Sequence, residues 1–399
     1  MKKKYTFQQI SSYSVNFIFI FFILFTISSV LISLYLGDYG GDLLPLNMRV
    51  DNSILIYTLL EILVVNLLFW FFYIASNKVS IKKGLINPNK NNRYVHMVFF
   101  IIIIFTLVIT NLTTVGSIIR NGETNRGVEL AFAFLQPFYL AIIYLYVFYD
   151  SSNKLFKLNF LLTVITLLLS GFVGYILFII PFILKWYTKR FTIKSIIILI
   201  PFILMCLPLL HVFKFMVKYN MSIIEMYYWL DIEKTLAFSR SIIDRFSYIP
   251  NIIFIKTHIP YFYEFIHQPQ NYPIFQGYFG SLIEKSIIST PVGNINGELS
   301  ILLYGNSGTN STFSLLSYFH VDTIYGILTL IYSIFIAVIL KLFISILLAS
   351  RNDNNYMSYL FFIPTYLYLL QGWYWPFINF LQAIILFIII SSLFKSEQS

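Results

Sequence analysis

Apolar runs of membrane-spanning length constrain this chain more than any motif in it. They cover Val15–Leu36, Ile54–Ile74, Val95–Ile119, Val128–Phe148, Ile196–Val217, Thr323–Leu348, Tyr356–Leu370 and Trp375–Leu393. Each lies near the ~20 residues needed to cross ~30 Å of hydrocarbon. Of the 399 residues, 58% are hydrophobic and only 11% charged, whereas an ordinary soluble domain has about 45–50% and about 25%. That much apolar surface exceeds what one packed core hides, so lipid is the second solvent. A secreted enzyme and a nucleic-acid-binding protein are excluded.

Loop charge sets the orientation. Lys2, Lys3 and Lys4 precede a first run too long for a signal peptide and without a small-residue cleavage site, so it reads as an uncleaved span. The loop from Asn77 to Tyr94 carries Lys78, Lys82, Lys83, Lys90 and Arg93 with no acid, and Lys185, Lys189, Arg190 and Lys194 form a second basic stretch. Both belong on the cytoplasmic side, and the formal charge of +10 therefore reads as topology. Counting spans from the N-terminus satisfies both only if Leu155–Leu184 enters and leaves on one side, as a hairpin broken at Gly171 and Gly174. The expected fold is an all-α polytopic membrane protein of about ten transmembrane or re-entrant helices, with both termini cytoplasmic. Residues 1–217 hold about seven segments, 218–321 form a large external loop, and 322–399 hold three more helices.

A loop of about 100 residues is functional more often than not. Ile223, Met226, Tyr227 and Leu230 recur at helical spacing, followed by Ile242, Ile243 and Phe246, which suggests helices lying on the membrane surface. From His258 to Gly280 the loop is rich in Tyr, Gln and Pro, the content of a sugar-contacting surface or of an interfacial aromatic belt.

Charges in or near a membrane are costly, which makes them functional candidates. Arg120 and Arg126 flank a short external loop, against the positive-inside bias. In the large loop Arg240 stands four residues before Asp244 and can pair with it on a helix, whereas Arg245 is rotated by about 140° and faces elsewhere. His211, Lys214 and Lys218 make a basic stripe near the outer end of their span. Snorkelling explains the two lysines equally well. His320 lies two residues before Asp322, where the large loop returns to the membrane. An imidazole beside a carboxylate can act as a general base near neutral pH, and Asp322 can equally cap the next helix. His96, His258 and His267 stand alone and are given no role.

Asp38, Asp42 and Asp51 in the first external loop are a weak cation-binding pattern, because a divalent ion needs several converging oxygens. Cys206 is the single cysteine, so no intrachain disulfide and no thiolate metal cluster can form. No P-loop, dinucleotide fingerprint, HExxH or GxSxG occurs, which leaves ATP hydrolysis and the common hydrolase mechanisms without support.

Taken together, the spans, the large external loop in the second half and the external arginines resemble the bacterial oligosaccharide repeat-unit polymerases, also called O-antigen polymerases. The local match is Asn310, Ser311, Thr312 and Phe313, followed by Tyr318, Phe319, His320, Val321, Asp322 and Gly326. It looks like that family's loop-to-span junction, with Ile324 and Tyr325 where a further glycine often stands. The resemblance implies a bacterial inner-membrane glycosyltransferase that moves a growing glycan from undecaprenyl pyrophosphate onto a lipid-linked repeat unit. It implies no cofactor, metal or nucleotide sugar, and as partners the bilayer, a chain-length regulator and a flippase of the same pathway. Arg120, Arg126, Arg240 and Arg245, with Lys214 and Lys218, would bind pyrophosphate. Arg245 would also steady the leaving group, with His320 or Asp322 as base and Glu298 as a fallback. A ligase of similar architecture, a lipid-linked oligosaccharide flippase and a membrane O-acyltransferase remain open at this point.

Overall fold

The structure is a computed structural model that describes residues 7–41, 43, 48, 50–78, 93–113, 126–150, 152–171, 173–182, 247–277, 295–305, 311–348 and 354–392, with single positions between 209 and 244. Helices dominate, and no strand occurs among the described residues. In chain order they are α1 (Phe7–Leu36), α2 (Asn52–Lys78), α3 (Arg93–Thr113), α4 (Arg126–Leu135), α5 (Pro137–Val147), α6 (Lys154–Leu169), α7 (Ile249–Thr257), α8 (Ile259–Ile266), α9 (Ile295–Tyr304), α10 (Leu315–Val321), α11 (Thr323–Leu348), α12 (Asn354–Pro364) and α13 (Tyr374–Ser392). Among the described residues six stretches are long and apolar enough to cross a membrane: Ile18–Leu36, Asn52–Asn77, Arg93–Thr113, Gly127–Val147, Thr323–Leu347 and Tyr374–Ser392, with Ser358–Leu370 a shorter apolar helix. The expected span Ile196–Val217 and the loop helices expected around Ile223–Leu230 and Ile242–Phe246 lie largely outside the described residues.

Burial separates inner from outer helices. Every residue of α5 is buried, as expected of a helix apolar on all sides. It packs on α3, α6 and α13. By contrast, α2 exposes Leu60, Val64, Leu67, Leu68 and Phe71, a lipid-facing row. Aromatic stacking locks the centre: Tyr366 lies flat on Phe22 at 4.6 Å, and Tyr144 on Phe99 at 4.4 Å.

One apolar run that reads as a single span is divided. Between α4 and α5, Gln136 adopts a left-handed φ of 47° because the following Pro137 disfavours α geometry before it and brings no N–H. The freed carbonyls at the end of α4 are recovered by side-chain amides: Gln136 Nε2 donates to Ala133 O at 2.7 Å, and Gln382 Nε2 of α13 donates to Ala133 O at 3.2 Å and Phe134 O at 2.5 Å. A second break follows α6, where Gly171 has φ 74°. Beyond it a 3₁₀ stretch, Val173–Phe178, doubles back: Tyr175 meets Phe138 and Tyr139 at the start of α5, while Phe182 meets Tyr146 and Tyr149 at its end.

A third break positions the candidate site. After α12, Pro364 is followed by a π-helical turn, Thr365–Leu370, and then Gly372 at φ 73°. A Cβ at Gly372 would overlap the carbonyl oxygen of Phe313, so glycine lets segment 311–314 cross directly over this turn. Asn296 clamps the crossing, accepting from Phe313 N at 2.6 Å and donating to Gly372 O at 3.4 Å. Phe313 itself is fully buried against Phe262 and Tyr318. At Gly326 a Cβ would crowd the backbone of Phe319, so glycine permits the tight corner from α10 into α11.

Candidate functional site

Three elements far apart in sequence bring charged side chains together where α7 packs against both α2 and α10. Glu61 lies about 14 Å along α2 from its first residue. It is the only charged residue in the run Ile54–Ile74. Helix α7 begins at Ile249 after a left-handed Tyr248, has Pro250 in its first turn and buries everything from Ile249 to Ile255, which delivers Lys256 to its last turn. There Lys256 Nζ lies 2.6 Å from Glu61 Oε2 and donates to Thr58 Oγ1 at 3.2 Å. Helix α10 begins with Ser314 Oγ accepting from Ser317 N, and with Phe313 and Gly326 fixing its two ends it presents His320.

His320 Nε2 stands 3.2 Å from Glu61 Oε2, yet off the line of a hydrogen bond. Burial, then the Lys256 ammonium, push the imidazole below its ordinary value, and Glu61 pulls it back up. Burial and Lys256 thus favour the neutral ring, next to a carboxylate able to stabilise the imidazolium formed when it takes a proton. The side chains of His320, Lys256 and Glu61 are 20%, 22% and 34% exposed, while the His320 Nε2 atom that faces Glu61 is buried.

The carboxylate facing His320 is thus Glu61, whereas the sequence pairs the histidine with Asp322. Asp322 has other partners. One oxygen caps α11, accepting from Ile324 N at 2.8 Å and Tyr325 N at 3.2 Å, and the other lies 3.1 Å from His267 Nε2. His267, given no role from sequence, is the residue that pairs with it. His258 Nδ1 donates to Phe254 O at 2.9 Å and its ring stacks on that of Phe254, and His96 is buried against Tyr144. Glu298 accepts from Tyr261 Oη at 3.2 Å.

A second charged group joins Arg240 and Asp244 to the end of α1 and the residues after it. Arg240 forms a fork with Asp38, its Nη1 donating to Oδ2 at 2.9 Å and its Nη2 pairing with Oδ1, while its Nε lies 3.4 Å from Asp244 Oδ2. Asp244 also accepts from Ser29 Oγ at 2.6 Å and Gly41 N at 2.7 Å. Its burial raises its pKa to about 6, with those donors and Arg240 opposing the rise.

Of the other expected pyrophosphate ligands, Arg120, Arg245, Lys214 and Lys218 lie outside the described residues, as does the side chain of Arg126, whose backbone opens α4. Asp51 caps α2 through Ser53 N and Ile54 N, Asp38 belongs to Arg240, and Asp42 is outside the described residues. Among the described residues no three His, Cys, Asp or Glu side chains converge as a metal site would require.

Sequence reasoning missed Glu61 and Lys256. A lone acid inside an apolar run was the available signal for the first, because an uncompensated carboxylate there is costly. Nothing local marks Lys256 as its partner, 195 residues away. Against models of protein families, curated proteins and solved structures, the chain matches none.

Proposed function

We propose that the chain is a polysaccharide polymerase that transfers a growing glycan from polyprenyl pyrophosphate to a hydroxyl of a lipid-linked repeat unit, with His320 as general base. The observation that carries the reading is the His320 imidazole 3.2 Å from Glu61, with Lys256 on the same carboxylate. The acceptor hydroxyl oxygen attacks the anomeric carbon of the donor glycan and its proton passes to His320. The bond from that carbon to the pyrophosphate oxygen breaks, and polyprenyl pyrophosphate leaves. Glu61 steadies the resulting imidazolium, and Lys256 keeps the resting histidine unprotonated. The leaving-group charge falls to the basic residues the sequence places outside, Arg245, Arg120 and Arg126 among them.

Loss of the gene should leave cells with single repeat units and no ladder on a surface-glycan gel. Purified protein given lipid-linked repeat units alone should make a ladder without nucleotide sugar or divalent ion. One transfer onto a different acceptor would make it a ligase instead, and translocation of unlengthened units a flippase. Loss of the ladder with EDTA and its return with magnesium would count against the metal-independent mechanism.

A further inference from the structure

A groove of about 490 Å³ opens at the other end of the bundle, between the first turns of α3 and α6 and lined by Arg93, Met97, Asn153, Lys154, Leu155 and Leu158. Arg93 and Lys154 are exposed, and neither has an ion-pair partner among the described residues. Asp150, the acid nearest Lys154 in sequence, is turned onto Ser152, whose N and Oγ donate to it at 2.8 and 2.6 Å. Asn153 spends its carbonyl oxygen capping Leu155 N and Phe156 N, which leaves its amide hydrogens at the groove. Met97 and Leu158 of the lining are exposed, and exposed apolar side chains continue beyond the groove along both helices, Ile101 and Phe105 on α3 and Leu161 and Ile165 on α6.

Two unpaired cations over a strip of exposed hydrocarbon match one ligand class. We infer that this groove binds an anionic phospholipid, with the phosphate held between Arg93 and Lys154 and one acyl chain lying along α3 and α6. Of the two helices, α3 is long and apolar enough to cross a membrane, and its first residue, Arg93, closes the basic stretch that begins at Lys78. Basic pockets between spans on the side of such basic stretches hold anionic headgroups, whose charge is concentrated in that leaflet. The inference does not rest on the polymerase reading.

Native mass spectrometry of the purified full-length protein, released from nanodiscs of phosphatidylcholine mixed with phosphatidylglycerol, tests it. Wild type should retain phosphatidylglycerol in preference to phosphatidylcholine. Arg93→Gln and Lys154→Gln should each weaken retention roughly fivefold, and together roughly thirtyfold, from the usual worth of a basic residue at an anionic surface. Lys157→Gln, one turn along α6 and outside the groove lining, should leave retention unchanged. Arg93→Lys with Lys154→Arg should restore it. Inorganic phosphate at millimolar concentration should neither displace the lipid nor raise the unfolding midpoint, since it lacks the chain. Equal loss from Lys157→Gln, full protection by phosphate alone or no preference for phosphatidylglycerol would each overturn the proposal. If the double glutamine variant fails to fold, the lipid preference of wild type and of the exchanged pair decides.

Discussion

Two charged groups tie residues 240–256 to α1 and α2, and they are built differently. At the end of α1 every partner of Asp244 is in place: Ser29, Gly41 and Arg240, with Asp38 completing the arginine fork. Its carboxylate is fully buried, and a polar group that is both buried and satisfied rigidifies a fold. On α2, by contrast, Glu61 is a third exposed and His320 Nε2 has an ion-pair distance without a hydrogen bond. That nitrogen is buried and directed at the carboxylate that would hold its proton. In the first group the Asp244 carboxylate is satisfied and only Arg240 Nε, 3.4 Å from it, lacks a hydrogen bond, whereas the second group is the more exposed of the two.

Substitutions at the two groups should therefore fail in different ways. His320→Ala should lower polymer formation by about 10²–10⁴, the usual cost of a lost general base, while the unfolding midpoint in detergent stays near wild type. Arg240→Ala should do the reverse, destabilising the protein by roughly 3–5 kcal/mol through an uncompensated buried Asp244. Residual rate per folded molecule would separate the two. A folded Arg240→Ala protein with no polymer would return that arginine to the pyrophosphate, and an unfolded His320→Ala would make the second group structural.

A smaller effect concerns Arg240→Lys. An ammonium cannot reproduce the two-point contact with Asp38 while also reaching Asp244, so this variant should melt earlier than wild type even though its charge is kept. Equal melting would show that charge alone holds the loop. Asp244 should add a pH dependence of its own. Its folded pKa of about 6 lies above the ordinary carboxylate value of 3.8, so between those values the folded state holds a proton that the unfolded chain has released. Its contribution is complete below about 4 and is lost as pH rises through about 6, by roughly 2–3 kcal/mol. Thermal unfolding followed from pH 4.5 to 7 should report this slope, and Asp244→Asn should flatten it.

The contrast between the two groups also marks what the sequence could convey. Arg240 and Asp244 are four apart on a helix, and Asp322 stands immediately before a long apolar run, so both the i,i+4 contact and the cap follow from local spacing. Helical spans are legible for the same reason, since hydrocarbon imposes length and composition on one continuous stretch. Gln136 before Pro137 carried a local signal for the divided helix, but the amide of Gln382 that makes the break tolerable comes from α13. Glu61 finding Lys256 and His320 depends on how α2, α7 and α10 pack, and packing over such separations leaves no periodic trace.

The claim at the centre is that His320 is the base and that Glu61 and Lys256 set its pKa in opposite senses. The pH profile of kcat/KM for polymer formation, which reports groups of the free enzyme, measures this directly. Wild type should lose activity as His320 takes up a proton, with the acid limb below the ordinary histidine value of about 6.5. Glu61→Gln removes the group that raises the imidazole, so its limb should move to lower pH. Lys256→Gln removes a group that lowers it, so that limb should move to higher pH. Opposite displacements are the expected result; limbs that stay in place, or move together, would contradict it.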